Sequence, residues 1–91
     1  MSLTCELKAV RSTKDFYQQL AKGLKLPATF GHNLDALFDA LTGSIEGPAT
    51  IFWHSSIAAR NEMGDEAFEN IIGTLYEASG DNPDLQIWLG L

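Results

Sequence analysis

Residues 26–43 read LPATFGHNLDALFDALTG, and this stretch carries the most informative pattern in the chain. Asn33 is a good N-cap residue, because its side chain can accept a hydrogen bond from the first helical turn. The residues after it predict a helix over 34–42, with Gly43 as its C-terminal stop. On a helical wheel at about 100° per residue, the apolar residues of this helix form one core stripe: Leu34, Leu37, Phe38 and Leu41.

Strand and helix patterns alternate on both sides of this helix. Residues 3–8 alternate with the two-residue period of a half-buried strand, and residues 85–89 do the same. Residues 49–53, which follow Pro48, form a continuous apolar run typical of a central strand. Both tryptophans lie in these predicted strands, so we expect each of them to serve packing rather than binding.

The remaining segments predict further helices. The first covers about residues 14–24, with a capping box at Ser12 and Asp15 before it and Pro27 as the residue that prevents its continuation. A short helical turn through Arg60 follows the central strand, with Ser55 and Ser56 as its predicted caps. The last helix lies between the loop 63–66 and the turn 80–83. Strands separated by helices imply parallel pairing through right-handed crossovers. We therefore expect a small layered α/β fold in which a three-stranded parallel sheet packs with about four helices.

Length and composition indicate one domain over residues 1–91. The hydrophobic content of 45% can supply a core without covalent staples. Cys5 is the only cysteine, so an intrachain disulfide is excluded, and its position in an alternating strand predicts a buried, inert thiol. No apolar run approaches the ~20 residues that span a bilayer, and the N-terminus lacks the features of a secretory signal. We expect a cytoplasmic monomer that needs no cofactor and no metal.

The net charge of −6 is unevenly distributed along the chain. Residues 1–25 carry a net +3, whereas residues 26–91 carry −9 and hold one basic group, Arg60. A chain without a basic stripe cannot neutralise phosphates, which argues against nucleic acid as a partner. The same charge argues against binding to an anionic membrane, and it permits a partner that is itself positive.

Two carboxylates lie on one face of the predicted second helix. Asp35 and Asp39 are four residues apart, with Phe38 at the edge of their face, and like charges at this spacing destabilise a helix slightly. No Lys or Arg lies between Lys25 and Arg60 to compensate them. The face is either an ordinary solvated surface or a surface for a positive partner. Further acidic residues favour the second interpretation: Glu46, Glu77 and Asp81.

Enzymatic interpretations find less support in the sequence. His32 and Asp35 could be imagined in a metal site, but His32 precedes the helix cap, so the spacing is poor. His54 stands beside Ser55 and Ser56, where helix capping explains the serines better than a nucleophile does, since no nucleophile elbow or orienting acid is nearby. A ribonuclease would need cationic groups to stabilise phosphate charge, and residues 26–91 offer few. The acidic cluster around residues 62–69 is best explained by favourable placement at a helix N-terminus.

The stretch around Asp39 resembles the barstar family of intracellular ribonuclease inhibitors. The resemblance is carried by Leu26-Pro27, by residues 30–39 (FGHNLDALFD) and by Leu41-Thr42-Gly43. It continues more loosely along the whole chain, through Arg11-Ser12, Pro48, Trp53 and Glu77-Ala78. It implies a three-stranded parallel sheet with helices, in agreement with the patterns above.

The resemblance also implies a function and a set of contact residues. Barstar-like proteins inhibit guanyl-preferring, barnase-type ribonucleases by placing the second helix and its preceding loop in the basic active site. On this basis Asp39 is the chief phosphate mimic and Asp35 is its neighbour. The other partner contacts implied or considered at matching positions are Gly31, Asn33, Phe38, Thr42, Gly43, Glu77, Thr29, Ser44 and Glu46.

Three positions depart from the family pattern. Thr29 and Ser44 stand where the family's best-known member has aromatic residues, and Phe38 replaces a larger Trp. Aromatic side chains are frequent anchors of protein interfaces. The departures therefore keep open a second hypothesis, a barstar-like interaction module with a basic partner other than a ribonuclease. A small enzyme that uses the acidic face is a distant third.

Overall fold

The computed structural model describes residues 2–45 and 47–91, and it confirms the α/β arrangement. The elements, in chain order, are β1 (Leu3–Leu7), α1 (Thr13–Gly23), α2 (Leu34–Asp39) with a π-helical segment (Ala40–Ser44) directly after it, β2 (Ala49–Trp53), α3 (Ser56–Met63), α4 (Asp65–Asp81) and β3 (Leu85–Leu89). None of the helices in the described residues is long and apolar enough to cross a membrane.

The three strands form one parallel sheet in the order β1-β2-β3, as the alternation of strands and helices predicted. The continuous apolar run becomes the central strand β2, in which Ile51 is paired with Cys5 on one side and with Ile87 on the other. The β-branched and aromatic residues of the run favour an extended backbone, and Ala49, Ile51 and Trp53 are buried whereas Phe52 is 38% exposed.

One face of the sheet packs against the helices and forms the core. Trp53 of β2 lies at the centre of this core, with its ring centroid 5.0 Å from that of Phe16 and 5.1 Å from that of Phe68. The helices contribute buried side chains at helical spacing: Phe16, Tyr17 and Leu20 from α1, Leu37 and Leu41 from the second helix, and Ile71, Leu75 and Ala78 from α4. The capping and periodicity signals of the sequence therefore lead to one continuous core.

The opposite face of the sheet exposes aromatic side chains, which corrects one expectation. The packing prediction is right for Trp53, which is fully buried, and wrong for Trp88, which is 55% exposed. Trp88 lies opposite Phe52 in the sheet, with ring centroids 6.3 Å apart. Successive side chains of a strand alternate between faces, and position 88 has the parity of the exposed face.

The first helix begins as the capping pattern predicted, and both of its ends lie within one residue of the predicted bounds, 14–24. The Asp15 backbone N–H donates to Ser12 Oγ at 3.0 Å. The carboxylate of Asp15 accepts from the backbone N–H of Arg11 at 3.1 Å rather than from that of Ser12, so only half of the reciprocal capping box forms. The helix ends at Gly23, and Lys25 in the left-handed region (φ 55°) turns the chain before Pro27 is reached.

The segment after β2 contradicts the prediction of serine caps. Ser55 adopts a left-handed conformation (φ 54°), and its side chain makes no capping hydrogen bond within the described residues. The Ser56 hydroxyl donates to the Gly90 carbonyl at 2.8 Å and so connects α3 to the residue after β3. The helix continues past Arg60 to Met63, and α4 extends to Asp81, which includes the first two residues of the predicted turn 80–83. At the end of α3, Met63 packs against the core, whereas Gly80 and Asp81 at the end of α4 are exposed.

Candidate functional site

The loop before α2 is held by a side-chain cap and by aromatic stacking. The Ala36 backbone N–H donates to Asn33 Oδ1 at 2.8 Å, which confirms Asn33 as the N-cap. A Cβ at Gly31 would lie 3.1 Å from Asn33 Nδ2 and 3.2 Å from Ala36 Cβ, so a glycine allows the loop to approach the cap closely. The His32 ring stacks on Tyr17 with a centroid distance of 5.6 Å. The loop is therefore attached both to α2 and to α1.

The second helix does not stop at Gly43 as predicted. It changes from α-helical to π-helical geometry after Asp39 and ends at Ser44, with Gly43 inside the widened turn. The Thr42 hydroxyl donates to the Phe38 carbonyl at 2.8 Å. Such bonds to the carbonyl four residues earlier are associated with distorted helices, and π-helical turns occur often at functional sites.

A contact with α4 anchors the same π-helical segment. Asn82 Nδ2 donates to the Leu41 carbonyl at 3.0 Å, which gives a backbone acceptor near the end of the second helix a partner from another element. Asn82 is also the C-cap residue of α4. The hydrogen bond thus joins the end of the second helix to the end of α4.

The core stripe of the second helix is narrower than predicted. Leu37 and Leu41 are fully buried, as expected, and Phe38 is half-buried. Leu34 is 36% exposed, so its assignment to the core stripe is wrong. The reason is that Leu34 lies in the first turn, where its side chain lines an open groove between α2 and α4.

This groove, which we call the acidic groove, brings predicted residues from distant parts of the chain together. It has a volume of about 580 Å³ and is lined by Leu34, Asp35, Phe38, Asp39, Thr74 and Glu77. Three carboxylates thus surround a surface with apolar patches at Leu34 and Phe38. Among the described residues, Arg60 forms an ion pair with Asp65 and His54 lies 3.0 Å from Glu6, and neither contact involves a groove carboxylate. The groove therefore presents net negative charge to solvent.

Thr74 is a groove residue that the sequence analysis did not identify. Its hydroxyl donates to the Asn70 carbonyl at 2.9 Å, which leaves the oxygen as an acceptor on the groove wall. The signal was available, because residues three apart on a helix share a face and Thr74 stands three residues before Glu77.

A second, smaller depression adjoins the groove, and we call it the side pocket. It has a volume of about 220 Å³ and is lined by Pro27, Thr29, Phe30, Gly31, Ala36, Asp39, Ala40 and Ser44. Asp39 borders both the acidic groove and the side pocket. The fold thus places Asp39 at the centre of the surface that the predicted residues share.

The other predicted contact residues lie around these two depressions or beyond them. Asn33 is exposed at the cap, and Thr42 is half-buried with its hydroxyl bonded internally. Gly43 is exposed on the π-helical segment. Neither Thr42 nor Gly43 lines the groove or the pocket. Glu46 lies outside the described residues.

The residues considered for other chemistry have structural partners. His54 Nε2 lies 3.0 Å from Glu6 Oε1, while the Ser56 hydroxyl is bonded to a backbone carbonyl, so the two do not form a Ser/His pair. Cys5 is buried as predicted, and burial raises the pKa of its thiol to about 11.

The second acidic cluster lies around the start of α4, and one of its carboxylates forms an ion pair there. Arg60 Nε donates to Asp65 Oδ1 at 2.9 Å. This hydrogen bond and the charge of Arg60 lower the pKa of the Asp65 carboxyl. The ion pair explains Asp65 as a contact between the end of α3 and the start of α4.

The comparison with protein families gives one result for the whole chain. The family model described as Barstar (barnase inhibitor) matches residues 1–91. The match includes every strand of the sheet and all residues of the acidic groove and the side pocket.

Proposed function

The chain belongs to the barstar (barnase inhibitor) family, and we propose that it acts in the cytoplasm as an inhibitor of a basic, guanyl-preferring ribonuclease of the barnase type. In this proposal the second helix and the preceding loop enter the active site of the ribonuclease and exclude RNA. The whole chain of 91 residues acts as one inhibitory domain.

The observation that carries the proposal is the acidic groove. The active site of a ribonuclease grips phosphates with cationic side chains, and a carboxylate offers the same cations a charged oxygen acceptor. Asp35, Asp39 and Glu77 present three such groups on one surface. The apolar patches between them can cover the aliphatic parts of Arg and Lys side chains.

The contact residues divide into a centre and a periphery. Asp39 is the proposed centre, because it borders both depressions, with Asp35 beside it and Glu77 on the opposite wall. The proposed periphery consists of Thr29, Gly31, Asn33, Phe38, Thr42, Gly43 and Ser44, together with Glu46 on the basis of its charge alone.

The charge distribution supports fast association with a basic partner. Residues 26–91 carry −9, and the basic groups are concentrated in residues 1–25. Long-range attraction between opposite charges accelerates encounter and is screened at a Debye length of ~8 Å at physiological ionic strength. We expect the association rate constant to fall steeply as salt is added. An association rate that is indifferent to salt would contradict the role of charge.

One observation favours a second candidate function. Thr29 and Ser44 leave an open pocket beside Asp39. A basic partner other than a ribonuclease could use this pocket, and the chain would then be an interaction module on the same scaffold. The two candidates differ in one property, since only the first predicts inhibition of RNA cleavage.

The deciding experiment is a titration of a barnase-type ribonuclease with the protein while RNA cleavage is followed. We expect stoichiometric loss of activity. The Asp39→Ala variant should inhibit far less, whereas Asp84→Ala, which removes an exposed carboxylate outside the groove, should inhibit as the wild type does. If the wild-type protein leaves cleavage unchanged at an excess over the enzyme, the ribonuclease proposal is wrong. Capture of a basic protein without nuclease activity would then support the second candidate.

A further inference from the structure

The outer edge of β3 carries backbone groups that point away from the sheet. The Ala49 N–H donates to the Asp84 carbonyl at 2.9 Å, and the Gly90 N–H donates to the Trp53 carbonyl at 2.8 Å. These bonds show that the even-numbered residues along β3 direct their backbone groups toward β2. Because this direction alternates along a strand, Ile87 and the other odd-numbered residues direct their N–H and C=O groups outward.

Most of these outward groups have no protein partner in the part of the chain that the structure describes. The Leu85 N–H donates to the Asn82 carbonyl at 3.0 Å. The Leu85 carbonyl and the N–H and C=O groups of Ile87 and Leu89 make no such bond. A strand edge of this kind is a template on which another strand can pair.

The opposite edge of the sheet, formed by β1, is protected. Gln19 Nε2 donates to the Lys8 carbonyl at 2.9 Å, and the Lys8 N–H donates to Gln19 Oε1 at 2.9 Å. The charged Glu6 lies within β1 itself, and charges at an edge discourage pairing with another chain. In contrast, β3 reads LQIWL and contains no charge, Pro or Gly. The sheet can therefore extend at β3.

Apolar surface is left uncovered on both faces of β3. Ile87 and Leu89 have the parity of the face that the helices cover, yet both are only half-buried. Trp88 on the opposite face is exposed. A strand placed beside β3 would shield all three side chains, and removal of apolar surface from water favours association.

The sequence of β3 is complementary to itself in antiparallel orientation. When Ile87 is placed opposite Ile87 of a second copy, Leu85 lies opposite Leu89, so apolar side chains meet on the helix-covered face. On the other face Trp88 lies opposite Gln86. The two tryptophans then become diagonal neighbours at ~7–8 Å, a distance that aromatic side chains can bridge. A second copy of this chain is thus a matching occupant of the edge.

From these observations we propose that β3 pairs in antiparallel orientation with β3 of a second copy of this chain, so that two three-stranded sheets become one continuous sheet. The two-fold axis passes beside Ile87, whose N–H and C=O groups bond to those of Ile87 in the other copy. This dimer replaces the monomer expected from the sequence. It is independent of the proposed function, because no residue that lines the acidic groove or the side pocket belongs to β3.

The size and charge of the two copies determine how the dimer should respond to concentration and salt. A contact of five residues from each copy belongs to the small interfaces, below ~1,200 Å², that are typical of weak or transient complexes. Each copy carries a net charge of −6, so the copies repel each other, and added salt screens this repulsion. We therefore expect a micromolar or weaker dissociation constant that falls as salt is added, opposite to the salt dependence expected for a basic partner.

The first test is sedimentation equilibrium of the full chain from micromolar to millimolar concentration at high salt. Trp88→Lys places two like charges at neighbouring positions of the dimer, so it should raise the dissociation constant at least tenfold. Ile57→Lys, the same kind of change at an exposed position of α3, should leave the constant unchanged. Thermal melts check that both variants are folded. A wild type that stays monomeric throughout, or a Trp88→Lys variant that dimerises like the wild type, would refute the proposal.

Hydrogen exchange followed by NMR tests whether the copies meet at the strand edge. The amides of Ile87 and Leu89 should exchange more slowly at high protein concentration, whereas those of Gln86 and Trp88, which face β2, should change little. The added protection should disappear in Trp88→Lys at the same concentration. If a dimer forms without this protection, the copies meet elsewhere and the edge proposal is wrong. Neither test uses a ribonuclease, so a failure here is distinct from a failure of the inhibitor proposal.

Discussion

Replacing Asp39 by alanine should change affinity and stability in opposite directions. Asp39 is exposed, and within the described residues it forms no ion pair. It also stands four residues after Asp35, and like charges at this spacing cost a helix about 0.2–0.5 kcal/mol. Alanine is in addition a better helix former than aspartate, by up to ~0.7 kcal/mol. The free energy of unfolding should therefore rise by about 0.5–1 kcal/mol.

A change of this size is measurable as a shift of the melting temperature. For a domain of 60–100 residues, 1 kcal/mol corresponds to ~4–8 °C, so Tm should rise by roughly 2–8 °C. Differential scanning calorimetry or circular dichroism at low ionic strength gives this value. A fall in Tm of several degrees would show that Asp39 stabilises the fold, in conflict with its exposed position.

The loss of affinity should be much larger than the gain in stability. Removing one member of a buried ion pair costs ~3–5 kcal/mol, because the remaining charge is left without a partner. At ~1.4 kcal/mol for each factor of ten, the dissociation constant for the ribonuclease should rise by roughly two to three and a half orders of magnitude. Isothermal titration calorimetry with Asp84→Ala as the control measures it. An unchanged affinity would refute the assignment of Asp39 to the centre of the interface.

Three further predictions concern the scaffold that holds the site. Asn33→Ala removes the cap of α2, so it should lower the free energy of unfolding by ~1 kcal/mol in urea denaturation, whereas Asn33→Asp should retain most of it. Gly23→Ala would place a Cβ 2.5 Å from Cys5 Sγ, so it should lower the free energy of unfolding in urea by ~1–3 kcal/mol. Adding Cys5→Ala as a second substitution should restore part of this loss, whereas full stability of Gly23→Ala alone would disprove the close approach. Burial raises the thiol pKa of Cys5 from 9.0 to about 11, so its contribution to stability is fully present below pH 9 and is lost as the pH rises toward 11. Cys5→Ala should therefore make the loss of stability between pH 9 and 11 shallower in pH-resolved melts, and the part that remains includes Tyr17, whose pKa is also raised by burial.

Several features of the fold follow from short stretches of sequence. Asn33 supplies its own acceptor to the first turn of α2, and the apolar run 49–53 suits a strand paired on both sides. These signals act over a few residues, so they survive without knowledge of the rest of the molecule. Helix ends were less predictable. Ser56 bonds to Gly90 rather than to its own helix, and Gly43 lies inside a π-helical turn, because contacts from other elements compete with local stop signals.

The candidate site shows the same division between local and tertiary causes. The spacing of Asp35 and Asp39 already placed both carboxylates on one helix face, since helical geometry is local. Whether Leu34 would be buried depended on α4, which leaves a groove beside it instead of covering it. The exposure of Trp88 likewise depended on which face of the sheet the helices cover.

The sequence by itself determined the strand and helix order, the position of the N-cap, the excess of acidic groups after residue 25 and the membership of a recognisable family pattern. Only the tertiary structure decided that Glu77 and Thr74 face Asp39 across one groove, and that Thr29 and Ser44 bound an open pocket beside the same carboxylate. The physical reason is that charge and local hydrogen bonding are properties of neighbouring residues, whereas a cavity is the space between elements that the core has brought together.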